Sequence, residues 1–213
     1  MKKATILFDF DGTIVDSFDA VVAVFKKIST TYNLHPVSTK EIQIFRNEGM
    51  KSAVKQMHIP LIMLPFILLL VKKELEKTIL NCKPVTNIVS TLNRLVINYR
   101  LGIVTSNSEV NVVNFLSQQK IEKLFDFIYS GSSLFGKAKV LKKVINTHEI
   151  NPKRIVYVGD EVRDIDAAHT IKIPVIAVSW GFNSKEVLSS KQPDYIIDHP
   201  SKLEPALDKI FKG

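Results

Sequence analysis

Short apolar runs alternate with helix-like patterns along most of the chain. Runs typical of buried strands occupy residues 5–10, 101–105, 127–129, 155–158, 175–178 and, in a shorter form, 195–197. Between them, apolar residues recur at helical spacing, as in the segment after Ser17, which is a candidate helix cap. This alternation predicts an α/β fold in which a parallel sheet carries helices on both faces.

One long interval lacks strand-like runs. From Phe18 to about Lys83 the patterns are helical, which predicts an all-α insertion after the first strand. We therefore expect a core domain of residues 1–16 and 84–213 and an inserted helical domain of residues 17–83. The apolar run at 59–71 contains two prolines and is too short to span a bilayer, so it favours a buried helix over a dimer contact or a membrane-surface segment.

Composition and charge indicate a globular protein and argue against nucleic acid as a partner. The 213 residues are 46% hydrophobic and 23% charged, which is typical of a globular protein. The net charge is +8, but the lysines are spread widely without interleaved aromatic residues, so we expect no nucleic-acid partner. The single Cys82 and the lack of a signal-type segment after Met1 predict a cytoplasmic protein with no membrane span, either a monomer or a homodimer.

Two carboxylates stand where the first apolar run ends, in the string Asp9-Phe10-Asp11-Gly12-Thr13. Alternate residues of an extended strand face the same side, so Asp9 and Asp11 can point into one crevice. Like charges this close are costly unless a cation or a substrate separates their roles, which indicates a nucleophile, an acid/base and a metal. An acidic strand end followed by a turn is the purely structural alternative.

Polar residues also follow the second and fourth runs, and ligands bind beyond the carboxyl ends of parallel strands. Thr105, Ser106 and Asn107 open a predicted helix, in which Ser106 and Glu109 have the spacing of a capping box. Free amides at that helix start, with the Thr105 hydroxyl, would hold phosphate oxygens. A capped helix without a ligand is the alternative.

Acidic residues crowd the segment after the fourth run. Asp160 and Asp164 are one helical turn apart, so they can face the same crevice as Asp9 and supply the oxygen ligands that Mg²⁺ prefers. The helix dipole alone also favours acids at a helix start. Asp166 falls on a different face and is not included.

A lysine stands at the start of another predicted helix, where a cation opposes the helix dipole. A local rule broken in this way indicates function. The ammonium of Lys137 could hold the nucleophilic carboxylate and an incoming phosphate together. Lys139 is the rival two residues later, and a solvated lysine is the alternative.

Together these residues resemble the haloacid dehalogenase superfamily. Its four motifs are matched in order and spacing by Asp9-Phe10-Asp11-Gly12-Thr13, Thr105, Lys137 and Gly159-Asp160-x-x-x-Asp164. The resemblance covers nearly the whole chain, and residues 17–83 correspond to the cap domain of that family. Two later segments resemble its phosphoglycolate phosphatase-like branch: Trp180-Gly181-Phe182 and Pro193-Asp194-Tyr195-Ile196-Ile197.

The resemblance implies a Rossmann-like sheet in strand order 5-4-1-2-3 and a Mg²⁺-dependent phosphatase acting on a small phosphorylated metabolite. Asp9 would attack phosphorus, and Asp11 would protonate the leaving oxygen and later deprotonate water. Mg²⁺ would bind the Asp9 carboxylate, the Asp11 main-chain carbonyl and Asp160. Asp164 would be a ligand through water or a support for the other ligands.

Further implied roles concern the substrate. Thr105 with the neighbouring amides of Ser106 and Asn107, together with Lys137, would hold the phosphoryl oxygens. In the cap, an expected turn between helices at Arg46-Asn47-Glu48 is the candidate for substrate specificity, with a plain surface loop as the alternative.

The alternatives to a phosphatase are a phosphomutase and a non-catalytic binding protein. A phosphomutase resembling β-phosphoglucomutase would use the same machinery but shield its aspartyl phosphate from water. A non-catalytic binding protein with this fold would be expected to have lost Asp9, Asp11 or a metal aspartate, and none is lost. The dehalogenases of the family lack the second aspartate of the first motif, so Asp11 argues against that activity.

Overall fold

The structure is a computed structural model, and it describes residues 3–48, 61–131 and 136–212. Within these ranges the strands are β1 (Thr5–Phe8), β2 (Val15–Asp16), β3 (Lys83–Pro84), β4 (Arg100–Thr105), β5 (Phe127–Ser130), β6 (Ile155–Gly159), β7 (Val175–Val178) and β8 (Tyr195–Ile197). The helices are α1 (Phe18–Thr31), α2 (Thr39–Glu48), α3 (Leu64–Thr78), α4 (Ile88–Asn98), α5 (Glu109–Gln118), α6 (Lys137–Thr147), α7 (Val162–Ile171), α8 (Lys185–Ser190) and α9 (Leu203–Lys212). Single 3₁₀ turns occupy Leu61–Met63, Ile79–Asn81, Glu122–Leu124 and Pro200–Lys202.

Six of the described strands form one parallel sheet, in the order β5-β4-β1-β6-β7-β8. β1 lies between β4 and β6, with Thr5 opposite both Arg100 and Ile155. The predicted α/β class is confirmed. The predicted five-strand order needs a correction, because the last short run, Tyr195–Ile197, pairs with β7 and adds a sixth strand at that edge.

Apolar side chains cover both faces of the sheet, because successive residues of a strand point to opposite sides. Ile6 and Phe8 of β1 belong to a buried cluster shared with α4, α5 and α9. Leu7 belongs to a second buried cluster, shared with α6, α7 and α8. β1 is therefore held from both sides, and this fixes where the residues that follow it emerge.

A short antiparallel ribbon stands at the two ends of the helical segment. Val15 of β2 pairs with Pro84 of β3, and Asp16 pairs with Lys83. The described residues from 18 to 81 form helices and their connections. The predicted division has a core of residues 1–16 and 84–213 and a cap of residues 17–83. Both of its boundaries fall at this ribbon. The division into two domains stays a prediction.

The apolar run at 59–71 has two different faces where the structure describes it. Its first two residues lie outside the described ranges. Ile67 and Val71 are buried in a cluster shared with α1 and α2, whereas Phe66 and Leu69 are 47% and 63% exposed. The interpretation as a buried helix is therefore wrong for one face of α3. In the described part of the chain, no helix has the length and the apolar character needed to cross a membrane.

Candidate active site

Asp9 is held at the carboxyl edge of the sheet. It follows β1 directly, and its backbone N–H donates to the carbonyl of Val158 at 2.8 Å, as a strand residue would. The side chain is buried, with Oδ1 accepting from the backbone N–H of Phe10 at 2.8 Å. Its Oδ2 lies 2.6 Å from Nζ of Lys137. The Asp9 carboxylate therefore has a fixed orientation and a cation in contact.

Lys137 is the first residue of α6, and its buried ammonium bridges two carboxylates. Nζ donates to Asp9 and to Asp164, and it lies 5.0 Å from the ring centroid of Tyr157. Burial lowers the pKa of Lys137, but the negative charges of Asp164 and Asp9 outweigh this and raise it above its usual value. The ammonium stays charged. Lys139 is exposed on the same helix.

Asp11 is held separately, by donors on two sides. The Ser17 hydroxyl donates to Oδ1 and the Asn107 amide to Oδ2, each at 3.0 Å. Burial raises the pKa of Asp11 to about 6, although the Asn107 hydrogen bond opposes this; the Asp9 charge adds to the rise. A carboxyl with this pKa can give and take a proton near neutral pH.

Two predicted helix caps differ in the structure. Ser17 occupies the N-cap position of α1, but its hydroxyl donates to Asp11 and makes no capping bond to the helix. The predicted capping box of Ser106 and Glu109 is wrong, because Ser108 caps α5 and Glu109 is the first helical residue. At the start of α1, the Ser17 hydroxyl donates to Asp11 instead of to the helix. Just before α5, the side-chain amide of Asn107 also donates to Asp11.

The predicted phosphate-binding segment after β4 lies beside Asp11. Thr105 is buried, and its hydroxyl accepts from the backbone N–H of Asn107 at 3.0 Å. The Asn107 amide oxygen accepts from Ser108 N–H and from Asn111, which turns the amide NH₂ toward Asp11. The Asn107 side chain therefore orients Asp11, and phosphate binding by this segment stays a prediction.

Asp9, Asp160 and Asp164 form a buried cluster of carboxylates. One oxygen from each lies within 4.8 Å of the others. Asp160 accepts from the Thr13 hydroxyl at 2.7 Å and from the backbone N–H of Phe182 at 2.8 Å. Asp164 accepts from the backbone N–H of Glu161 at 3.0 Å and from Lys137.

The charges in this cluster repel one another. Burial raises the pKa of Asp160 well above its usual value, and the charges of Glu161, Asp164 and Asp9 add to this. Burial likewise raises the pKa of Asp164 to about 6, although Lys137 opposes the rise. A divalent cation would relieve this repulsion, and buried carboxylate oxygens are the donors that suit Mg²⁺. The residues present therefore fit the predicted metal.

Two glycines make room for the Asp160 carboxylate. A Cβ on Gly12 would lie 2.2 Å from Asp160 Oδ2, and one on Gly181 would lie 2.3 Å from it. Gly12 also has φ of +74°, which disfavours any other residue. The turn after Asp11 and the loop after β7 both approach Asp160 closely because neither carries a side chain there.

The predicted specificity residues lie at the end of α2. This helix continues through Glu48, so the expected turn at Arg46 and Asn47 is wrong. The Arg46 guanidinium lies 3.8 Å from the ring centroid of Phe18, and Nη1 donates to the Gly181 carbonyl at 3.5 Å. Asn47 and Glu48 are exposed. The structure thus brings Arg46 to the loop after β7.

Asn183 is a site residue that the sequence reasoning missed. It is buried, and its Oδ1 accepts from the Val162 N–H at 2.8 Å. Its Nδ2 donates to the carbonyls of Phe45 and Arg46, each at 3.2 Å. Asn183 therefore joins the end of α2 to the start of α7. Its position shortly after β7, at the carboxyl edge of the sheet, is the signal that would have identified it.

Comparison with known proteins identifies the family of the chain. A sequence model of the haloacid dehalogenase-like hydrolases matches residues 6–178. The chain belongs to this family. A phosphoglycolate phosphatase of Synechococcus elongatus is 28% identical, over 97% of this chain and 98% of its own. Pyrophosphatase PpaX of Bacillus mycoides is 22% identical, over 99% of both chains.

A solved structure extends the likeness to three dimensions. A haloacid dehalogenase-like family hydrolase from Streptococcus pneumoniae superposes with a TM-score of 0.83 at 25% identity, covering 95% of this chain and 97% of its own. The predicted family is confirmed. The predicted enzyme class, a phosphatase within these hydrolases, is confirmed as well.

Proposed function

We propose that this enzyme hydrolyses a small phosphomonoester through an aspartyl phosphate on Asp9, with Mg²⁺ as its cofactor. The observation that carries the proposal is the setting of Asp9, a buried carboxylate 2.6 Å from Lys137 in one cluster with Asp160 and Asp164. Asp11 lies apart from this cluster in its own hydrogen-bond network. The name of the Synechococcus relative supports a substrate of the phosphoglycolate type.

In the first step, an oxygen of Asp9 bonds to phosphorus while the bond from phosphorus to the leaving oxygen breaks. Asp11 gives its proton to that oxygen, and its raised pKa keeps a protonated fraction available near neutral pH. Ser17 and Asn107 orient the Asp11 carboxyl for this transfer. Lys137 offsets the charge of Asp9, so that an anionic phosphate can approach it.

In the second step, Asp11, now deprotonated, takes a proton from water as the water oxygen attacks phosphorus. The bond between Asp9 and phosphorus breaks, which releases orthophosphate and restores both carboxyl groups to their starting states. The protonated Asp11 is then ready for another substrate.

The carboxylates of Asp9 and Asp160 would hold Mg²⁺ with the main-chain carbonyl of Asp11, and Asp164 would bind it through water or support the other ligands. When bound, the ion supplies positive charge for the phosphoryl oxygens. The three carboxylates are buried side by side, which supports this assignment.

We also propose that residues 17–83 form the cap and that Arg46 and Asn47 influence the choice of substrate. Arg46 supports this because its guanidinium reaches the carbonyl of Gly181, whose neighbour Phe182 donates to Asp160. The end of α2 is thereby placed near the carboxylate cluster.

Hydrolysis of a generic aryl phosphate tests the proposed function. We expect turnover with Mg²⁺, loss of turnover with a chelator, and recovery when Mg²⁺ is restored, because the carboxylates need the cation. Hydrolysis that survives chelation would contradict the proposal. Activity that appears only as isomerisation of a sugar phosphate in the presence of a sugar bisphosphate would indicate the phosphomutase instead.

Enlarging Gly181 tests the role assigned to Asp160. We expect Gly181→Ala to raise the Mg²⁺ concentration for half-maximal activity by about tenfold or more, because the added methyl displaces the Asp160 carboxylate. Gly102→Ala is the matched control, since its Cβ would meet the Phe127 ring at 2.4 Å within the sheet. It should lower the melting temperature without changing the Mg²⁺ requirement. Equal Mg²⁺ requirements in the two variants would contradict the assignment.

A further inference from the structure

Arg163 stands at an unusual place for a cation. It is the second residue of α7, in the first turn of the helix, where the dipole disfavours positive charge. Its neighbours in the sequence are acidic, at positions 160, 161, 164 and 166. A local rule broken at the edge of a site indicates a role for the side chain.

One edge of the Arg163 guanidinium contacts Glu161, and its other terminal nitrogen has no hydrogen-bond partner among the described residues. Nε and Nη2 both contact Oε1 of Glu161, at 2.8 and 2.5 Å. Glu161 is itself buried and caps α7, so it holds the guanidinium in one orientation. Nη1 is buried and, among the residues that the structure describes, has no hydrogen-bond partner. A buried charged N–H without an acceptor is unfavourable, so this atom requires an anionic or polar partner.

Arg163 directly precedes Asp164, a member of the carboxylate cluster that Lys137 contacts. Burial lowers the pKa of Arg163, but the charges of Glu161, Asp9 and Asp164 outweigh this and raise it above its usual value. The Arg163 charge in turn opposes the rise in the pKa of Asp11 and of Asp164. Arg163 therefore adds a second positive charge beside a carboxylate that Lys137 contacts.

We propose that Arg163 binds the phosphoryl group of the substrate through Nη1. The proposal rests on the proposed phosphatase function, because it adds a second cation to the site around Asp9. Two of the donors expected for the phosphoryl group are already engaged: the Asn107 backbone N–H with the Thr105 hydroxyl, and Lys137 with Asp9 and Asp164. A guanidinium pairs well with phosphoryl oxygens, and Glu161 orients it before the substrate arrives.

The test compares Arg163→Met and Arg163→Lys with the wild-type enzyme loaded with Mg²⁺. The probes are an aryl phosphate for kcat and KM, and orthophosphate for inhibition and for protection against thermal unfolding. We expect Arg163→Met to weaken orthophosphate binding by about 10- to 100-fold and to lower kcat/KM by a similar factor. Arg163→Lys keeps the positive charge but lacks the planar guanidinium. Its orthophosphate affinity and kcat/KM should lie between those of the wild-type enzyme and Arg163→Met.

Two controls separate binding from structure. Arg94→Met removes another arginine with a carboxylate partner, Glu204 at 3.0 Å on the surface, and should leave every parameter unchanged. In Arg163→Ala, added guanidinium should restore part of the lost kcat/KM without raising the melting temperature, whereas a purely structural arginine would recover both together or neither. If Arg163→Met does not fold, Arg163→Lys and the guanidinium rescue decide the question.

The outcomes separate this inference from the proposed function. A lower melting temperature in Arg163→Met or Arg163→Lys, with unchanged orthophosphate affinity and kcat/KM, would show that Arg163 only pairs with Glu161 and would overturn the inference. A wild-type enzyme that neither hydrolyses the aryl phosphate nor binds orthophosphate would overturn both. Wild-type hydrolysis with no effect of any Arg163 variant would overturn the inference alone.

Discussion

Replacement of Asp9 by asparagine is expected to lower turnover of an aryl phosphate by at least about a thousandfold. The amide has nearly the shape of the carboxylate but is not a nucleophile toward phosphorus. Its oxygen can still accept from the Phe10 N–H, and Lys137 keeps its contact with Asp164, so the fold should persist. The measurement is kcat at saturating Mg²⁺, together with thermal unfolding of the same preparation.

A matched carboxylate shows whether the loss is specific to the site. Asp166 is an exposed aspartate on α7 whose partner is Lys191 at 3.3 Å, so Asp166→Asn should keep full activity. The wild-type enzyme should also acquire a phosphoryl label that Asp9→Asn does not. Full activity in Asp9→Asn, with the fold unchanged, would refute the mechanism.

Removal of the Lys137 ammonium is expected to impair both catalysis and stability. Lys137→Ala should lower kcat/KM by about 100-fold or more, because an anionic substrate then meets the uncompensated charge of Asp9. It should also lower the free energy of unfolding by about 3–5 kcal/mol, since the buried Asp9 and Asp164 lose their shared cation. Steady-state kinetics and urea unfolding measure the two effects.

Lys139 is the control on the same helix. It is exposed, so Lys139→Ala should change the free energy of unfolding by no more than about 0.5 kcal/mol and leave kcat/KM near the wild-type value. Both variants remove the same side chain from the first turn of α6. A larger catalytic loss in Lys139→Ala would show that the wrong lysine had been placed in the site.

Much of the core architecture could be predicted from periodicity alone. All six apolar runs are strands of the sheet, because buried strands need continuous apolar residues whereas the helices between them need only one apolar face. The predicted ends of the strands match less closely. The first strand ends at Phe8, before Phe10, since the chain begins to turn around Asp9 and Asp11.

The candidate site was predictable to the extent that it lies at strand ends. Asp9 and Asp160 follow strands directly, Asp11 comes two residues after Asp9, and parallel strands bring their carboxyl ends to one edge. Hydrogen-bond partners were not predictable in this way. The local sequence places Ser17 and Asn107 at the starts of predicted helices, but their side chains donate hydrogen bonds to Asp11.

The sequence by itself determined the α/β class, the order of elements and the residues of the candidate site, because these follow from local periodicity and from the types of residue at strand ends. Only the tertiary structure decided which groups touch. Lys137 and Asp9 are 128 positions apart, and their contact depends on how α6 packs beside β1. The same packing buries the carboxylates, and burial is the first cause of the raised pKa values of Asp11, Asp160 and Asp164. Desolvation depends on the whole surrounding fold, so no local pattern of residues encodes it.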